Sequence, residues 1–157
     1  MNRILIENLI TKHEGVRVSV YTDTTGHLTI GIGWNLDSPD AARIAGLFGL
    51  NLNALKNGDE VMTQDQVDEV FDYQLNIVIG QANQLFPNFL AMPDTVQAVV
   101  CDVIFNMGLP VFREFVNTIA ALKAGDWKLA AAGLQASKWF YQVPNRARDD
   151  ISILEAV

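Results

Sequence analysis

Glu14 and Asp23 are the pair of side chains in this chain whose types and surroundings best suit acid–base chemistry. Both lie in the stretch HEGVRVSVYTDTTGHLTIGIG, residues 13 to 33. Glu14 ends a segment in which Ile6, Leu9, Ile10 and His13 fall at i, i+3, i+4 and i+7, the spacing of one helix face. Gly15 then stops the helix. Val16, Val18 and Val20 alternate with Arg17 and Ser19 in the period of a half-buried strand, and residues 22 to 26 supply a turn that contains Asp23. The return strand alternates Leu28, Ile30 and Ile32 with Thr29, Gly31 and Gly33, so Thr29 is expected to point away from the packed face. A hairpin folded beside the helix would bring the helix-end glutamate, the turn aspartate and the strand threonine to one cleft.

Glycoside hydrolysis needs two carboxyls in unlike surroundings, one to protonate the leaving oxygen and one to handle the water or the developing positive charge. Glu14 adjoins the apolar helix face, where burial favours the proton-carrying acid, whereas Asp23 in a polar turn is expected to stay ionised. The competing reading is a solvated helix-end glutamate and an aspartate that serves only its own turn.

The string HEG followed by VYTDTTGHLTIGIG resembles the phage lysozymes of the T4 type, whose pattern is E-G and then Y-x-D-x-x-G-x-x-T-I-G-x-G. IFNMG, FREFVNT and KWFYQVPNRARD resemble later segments of that family, so matched motifs span roughly residues 5 to 150. The resemblance implies an endolysin that cuts the β-1,4 bond between N-acetylmuramic acid and N-acetylglucosamine in peptidoglycan. It makes Glu14 the general acid, Asp23 the carboxylate that activates water and Thr29 the residue that orients this water. It implies reaction with inversion, which requires the carboxyls to be about 6.5 to 9.5 Å apart. By the same resemblance Phe105 and Thr118 lie near the sugar sites, Arg146 pairs with the catalytic glutamate and Trp139 belongs to the supporting segment. Thr118 reads equally well as a helix cap.

The family pattern is not followed everywhere. Trp34-Asn35 replaces His-Leu, so an ion pair at that place is not expected, and Trp34 is either core filling or a sugar platform. Gly133 stands where the family commonly has a sugar-contacting asparagine, and Val143 where it has threonine. Net charge is −7, which removes the attraction to an anionic wall that basic lysozymes of this kind have and argues against nucleic-acid binding. Plain solubility is an alternative use of that charge.

The elements that must position these residues follow in order. Ser38-Pro39-Asp40 reads as a helix start, with serine as the cap and proline in the first helical position, and Gly46 and Gly49 keep this helix short. Residues 51 to 59 form a short helix or loop. Thr63 and Gln66 have capping-box spacing, and an apolar stripe from Val67 to Phe86 predicts a long helix closed by Pro87. Pro93-Asp94 opens a helix that is apolar nearly all round and therefore central, with Cys101 a buried hydrophobe rather than a nucleophile. Gly125-Asp126 divides two short helices, 118 to 124 and 126 to 136, and Pro144 starts another.

The expected architecture is α+β, mainly α, a lysozyme-like two-lobed fold. It comprises a small hairpin lobe over 14 to 62, a bridging helix over 63 to 86 and a helical lobe of 87 to 157 with 1 to 13, together one lysozyme domain. No apolar run approaches ~18 residues and no signal-peptide pattern opens the chain, so cytoplasmic accumulation is expected. A separate membrane-permeabilising, holin-like protein would then give access to the wall. A single cysteine forms no internal disulfide and fits a reducing compartment. His13 and His27 lack metal-site spacing, so no metal or cofactor is expected, and the protein is expected to act as a monomer. Two rivals remain: a peptidoglycan-binding module that has lost turnover, and a lytic transglycosylase forming an anhydro sugar, against which Asp23 argues.

Overall fold

The computed structural model describes residues 1 to 157 and divides them into two units, Glu14–Asn76, and Met1–His13 with Ile77–Val157. Helix α1 (Arg3–Glu14) buries Ile6, Leu9 and Ile10, the stripe that its sequence spacing predicts, and Gly15 leaves it with φ +72°.

The Glu14–Asn76 unit is built on strands β1 (Arg17–Thr22), β2 (Leu28–Gly31) and β3 (Trp34–Asn35), an antiparallel sheet in the order β1-β2-β3. Tyr21 faces Thr29 across one ladder, and Thr29 faces Asn35 across the other. Three sequence expectations change here. The return strand stops at Gly31 instead of reaching Gly33, because both glycines adopt positive φ and turn the chain into β3. Val16 and Val18 remain 45% and 41% exposed, so β1 has no half-buried face at its start; the sheet instead buries Ile30, Trp34 and Leu36. Thr29 does not lie on an open face: it sits in the central strand and is 4% exposed. Trp34, 1% exposed, fills the core and is not a sugar platform.

Helix α2 (Ala41–Leu47) begins later than Ser38. Ser38 donates its N–H to the Asn35 carbonyl and accepts from Ala41 N–H through its own, so residues 38 to 40 form a turn leading out of β3. Asp37 pins that turn, accepting from Leu28 N–H at 2.8 Å and pairing with Lys56 at 2.7 Å. Lys56 lies on α3 (Leu52–Asn57), capped by the Asn51 side chain on Ala54 N–H and ended by left-handed Gly58. Helix α4 (Gln64–Leu85) starts at a complete capping box, with Gln66 Oε1 on Thr63 N–H at 2.9 Å and Thr63 Oγ1 on Gln66 N–H at 3.2 Å. Its 22 residues cross from one unit's chain into the other's between Asn76 and Ile77.

The other unit centres on α5 (Asp94–Met107), in which every residue from Val96 to Ile104 is buried. Short α6 (Leu109–Phe112) and a 3-10 turn at Phe89–Ala91 were not foreseen, since one-turn elements carry no readable periodicity. Helices α7 (Val116–Ala124) and α8 (Trp127–Gln135) meet at left-handed Gly125, and Asp126 caps α8 by accepting from Leu129 N–H at 3.0 Å. Thr118 lies inside α7, whose N-cap is Phe115, so it is not a cap. Helices α9 (Lys138–Gln142) and α10 (Pro144–Glu155) complete the unit, with α10 packed on α8, α9 and α5. Cys101 is fully buried, and burial pushes its thiol up to about 12, far from a nucleophile's range. The fold is α+β and mainly helical, and no helix is long and apolar enough to cross a membrane.

Candidate active site

Asp23 is held by its own turn. Its Oδ1 accepts from Thr25 N–H at 2.8 Å, the Thr25 hydroxyl at 2.8 Å and His27 N–H at 2.9 Å. Partial burial would raise this carboxyl, but those hydrogen bonds outweigh it and hold Asp23 below the usual carboxylate range. All three donors converge on one oxygen, and Oδ2 keeps its lone pairs for another donor. The His27 peptide also ties Asp23 to Thr29: its carbonyl accepts both Asp23 N–H at 2.9 Å and the Thr29 hydroxyl at 3.2 Å. The turn-aspartate reading and the chemical reading are therefore compatible, because serving the turn is what fixes the carboxylate.

Glu14 is half-buried at the end of α1. The residue against it is Gly33: a Cβ there would lie 2.6 Å from Glu14 Oε2 and 2.9 Å from Cγ, and Gly33 has φ +66°. Glycine is required twice, by the backbone and by the carboxyl that occupies its side-chain space. The I-G-x-G motif was the available signal for Gly33, but the contact that explains it is tertiary. Tyr21 was also missed. Burial raises its phenol first, and the charges of both Glu14 and Asp23 raise it further, so Tyr21 lies in the field of the two carboxylates. Arg17 stacks over its ring at 4.6 Å and opposes that shift.

The helical unit carries the remaining candidates. Trp139 is 4% exposed and donates its indole N–H to Asn106 Oδ1 at 2.8 Å. Trp139 and Thr118 line one open groove of about 650 Å³ together with Met107, Asn117, Gly133 and Gln142. Phe105, half-buried in the last turn of α5, is not part of that lining. Gly133 brings α8 close to α7: a Cβ on it would fall onto Thr118 Oγ1 and lie 3.5 Å from Thr118 Cα. A side chain at this place would require Thr118 to shift.

Arg146 is buried and makes a bidentate pair with Asp102, Nε to Oδ2 at 2.7 Å and Nη2 to Oδ1 at 2.9 Å. His13 reaches the same Asp102 Oδ2 through Nδ1 at 3.0 Å and Asp149 through Nε2 at 3.2 Å. Burial lowers His13, but these carboxylates outweigh it and raise its pKa; burial raises Asp102, but His13 and Arg146 hold it below its ordinary value. Asp102 escaped the sequence reading, although a charge inside AVVCDVIF signals a buried partner. His13, Asp102 and Asp150 also place ligand-type atoms within 4.8 Å of one another. The Arg146 guanidinium already supplies Asp102 with a cation and disfavours a metal beside it.

A model of the phage lysozyme family matches residues 11–149. Two proteins of Dictyostelium discoideum described as probable T4-type lysozymes 1 and 2 are each 23% identical to this chain, over 96% of it and 93% of either relative. The pre-baseplate central spike protein Gp5 of Enterobacteria phage T4 is 27% identical over 88% of this chain and 25% of that larger protein. The matched span contains Glu14, Asp23, Thr29 and Arg146, and the chain belongs to the phage lysozyme family, whose type of activity is the degradation of peptidoglycan.

Proposed function

We propose that this protein is an endolysin that hydrolyses the β-1,4 bond between N-acetylmuramic acid and N-acetylglucosamine with inversion, and that it acts in host lysis after a holin-like protein opens the membrane. Glu14 gives its proton to the departing glycosidic oxygen while Asp23, through Oδ2, takes a proton from the attacking water. The Thr29 hydroxyl spends its proton on the His27 carbonyl, so it orients this water by accepting from it. Phe105 and Thr118 are the proposed sugar contacts, with Trp139 and Arg146 as supports. The observation that carries the reading is the three-donor cradle on Asp23 Oδ1, which keeps the base ionised and its second oxygen available.

Digestion of purified peptidoglycan followed by mass spectrometry and anomer-resolved NMR tests the reaction. Hydrolysed muramic acid reducing ends that appear first as the α anomer are expected. Anhydro ends would make the protein a transglycosylase, initial β anomers would exclude inversion, and binding without release would leave a wall-binding module.

Gly33→Ala tests the packing behind the acid. Its methyl must displace the Glu14 carboxyl from a site where about 1 Å of misplacement costs up to 10²-fold in rate. The left-handed backbone adds roughly 1 to 2 kcal/mol of destabilisation. Initial rates and thermal melts of the two proteins separate these effects, and an unchanged rate would show that Gly33 does not set the position of Glu14.

A further inference from the structure

Asp102 on α5 and Asp150 on α10 are both fully buried, and each places an oxygen within 4.8 Å of the other and of a His13 ring nitrogen. The cations around them are held by carboxylates other than Asp150. Arg146 makes its bidentate pair with Asp102, His13 bridges Asp102 and Asp149, and Lys12 pairs with Asp149 at 2.5 Å. Neither oxygen of Asp150 accepts a hydrogen bond from any donor. An ionised carboxyl there would be a buried charge without a hydrogen-bonded counter-ion, close to a second negative carboxylate. A proton removes that charge and turns one Asp150 oxygen into a donor aimed at its neighbour.

We propose that Asp150 carries a proton through neutral pH and donates it to Asp102, making His13, Asp102, Arg146 and Asp150 a pH-sensitive clamp between α1, α5 and α10. Burial first, then the Asp102 charge, push the Asp150 carboxyl well above its ordinary value; Arg146 opposes this and Asp149 adds to it. The other helices packed on α10 bring only exposed charges, Lys128 on α8 and Lys138 on α9, and Arg148 on α10 itself lies over the Phe140 ring. An acid that holds its proton when folded and loses it near the usual carboxylate pKa when unfolded binds more protons in the folded state. Its stabilisation is therefore complete below that usual value and declines as the pH rises towards the folded one.

Denaturant unfolding of wild type and Asp150→Asn from pH 5 to 8 tests the clamp. Asparagine keeps a donor towards Asp102 and has no proton to lose. The folding constant of the variant is expected to gain on wild type by about tenfold per pH unit until the folded pKa is reached. His13 titrates in both proteins, so the comparison isolates position 150. A difference that stays flat with pH overturns the proposal. Carbon-13 NMR of aspartate-labelled wild type supplies a test that does not depend on the variant folding: Asp150 is expected to give a protonated-acid signal at pH 7, and an ionised-carboxylate signal overturns the proposal. Equimolar Zn²⁺ is expected to leave the wild-type Tm unchanged; a rise that Asp150→Asn abolishes would make the cluster a metal site instead.

Discussion

Replacing Glu14 by glutamine is expected to lower peptidoglycan cleavage by about 10²- to 10⁴-fold, the range lost when a positioned general acid is removed. The amide has nearly the shape of the acid and fits the space that Gly33 leaves, so folding and glycan binding should persist. What it lacks is a proton to give, and the glycosidic oxygen must then leave as an alkoxide. The loss should therefore fall on kcat, with KM within a fewfold of wild type. Asp23→Asn is the matching control on the base. Its amide oxygen can still accept from Thr25 and His27, which preserves the turn, while its nitrogen replaces the oxygen proposed to take the water proton. A drop in rate without a drop in Tm for both variants fits the proposed roles. Full activity in Glu14→Gln, measured as reducing-end release, would remove Glu14 from the acid's place.

Local signals made much of this fold readable. The α1 stripe, the Thr63 and Gln66 box and the Gly125-Asp126 junction each depend on residues within one or two helical turns, and all three took the form that their spacing implies. Errors appear where a distant element decides. Alternation alone pointed Thr29 away from the packed face, yet in the central strand it is 4% exposed, covered by elements that its own spacing does not reveal. Ser38-Pro39 has the composition of a helix start, but the preceding strand and Asp37 draw it into a turn. The site divides in the same way. Glu14 and Asp23 stood out by type and motif, whereas the reason for Gly33 is the Glu14 carboxyl and the cradle of Asp23 is visible only once the turn has folded. Asp102 could be suspected from its apolar surroundings, but not its partners, which lie 44 and 89 positions away.

Asp102→Ala is expected to be the most destabilising of these substitutions. It strips the buried Arg146 guanidinium of a bidentate counter-ion and leaves His13 with one carboxylate instead of two. Breaking a buried pair by removing one partner costs about 3 to 5 kcal/mol. In a chain of 157 residues that lowers Tm by roughly 6 to 20 °C. The value should fall towards the lower end, because the cluster holds a reserve: with Asp102 gone, Asp150 can release its proton and face Arg146 as an ion. Asp150→Asn alone removes no counter-ion and is expected to be tolerated at neutral pH, so the two substitutions should not add. The double variant loses both carboxyls of the buried cluster that can face Arg146 from α5 and α10, and its destabilisation should exceed the sum of the singles by about 0.5 to 3 kcal/mol, the coupling usual for residues of one network. Urea unfolding of the four proteins at pH 7 measures that coupling. Simple additivity would show that Asp150 does not ionise when Asp102 is absent.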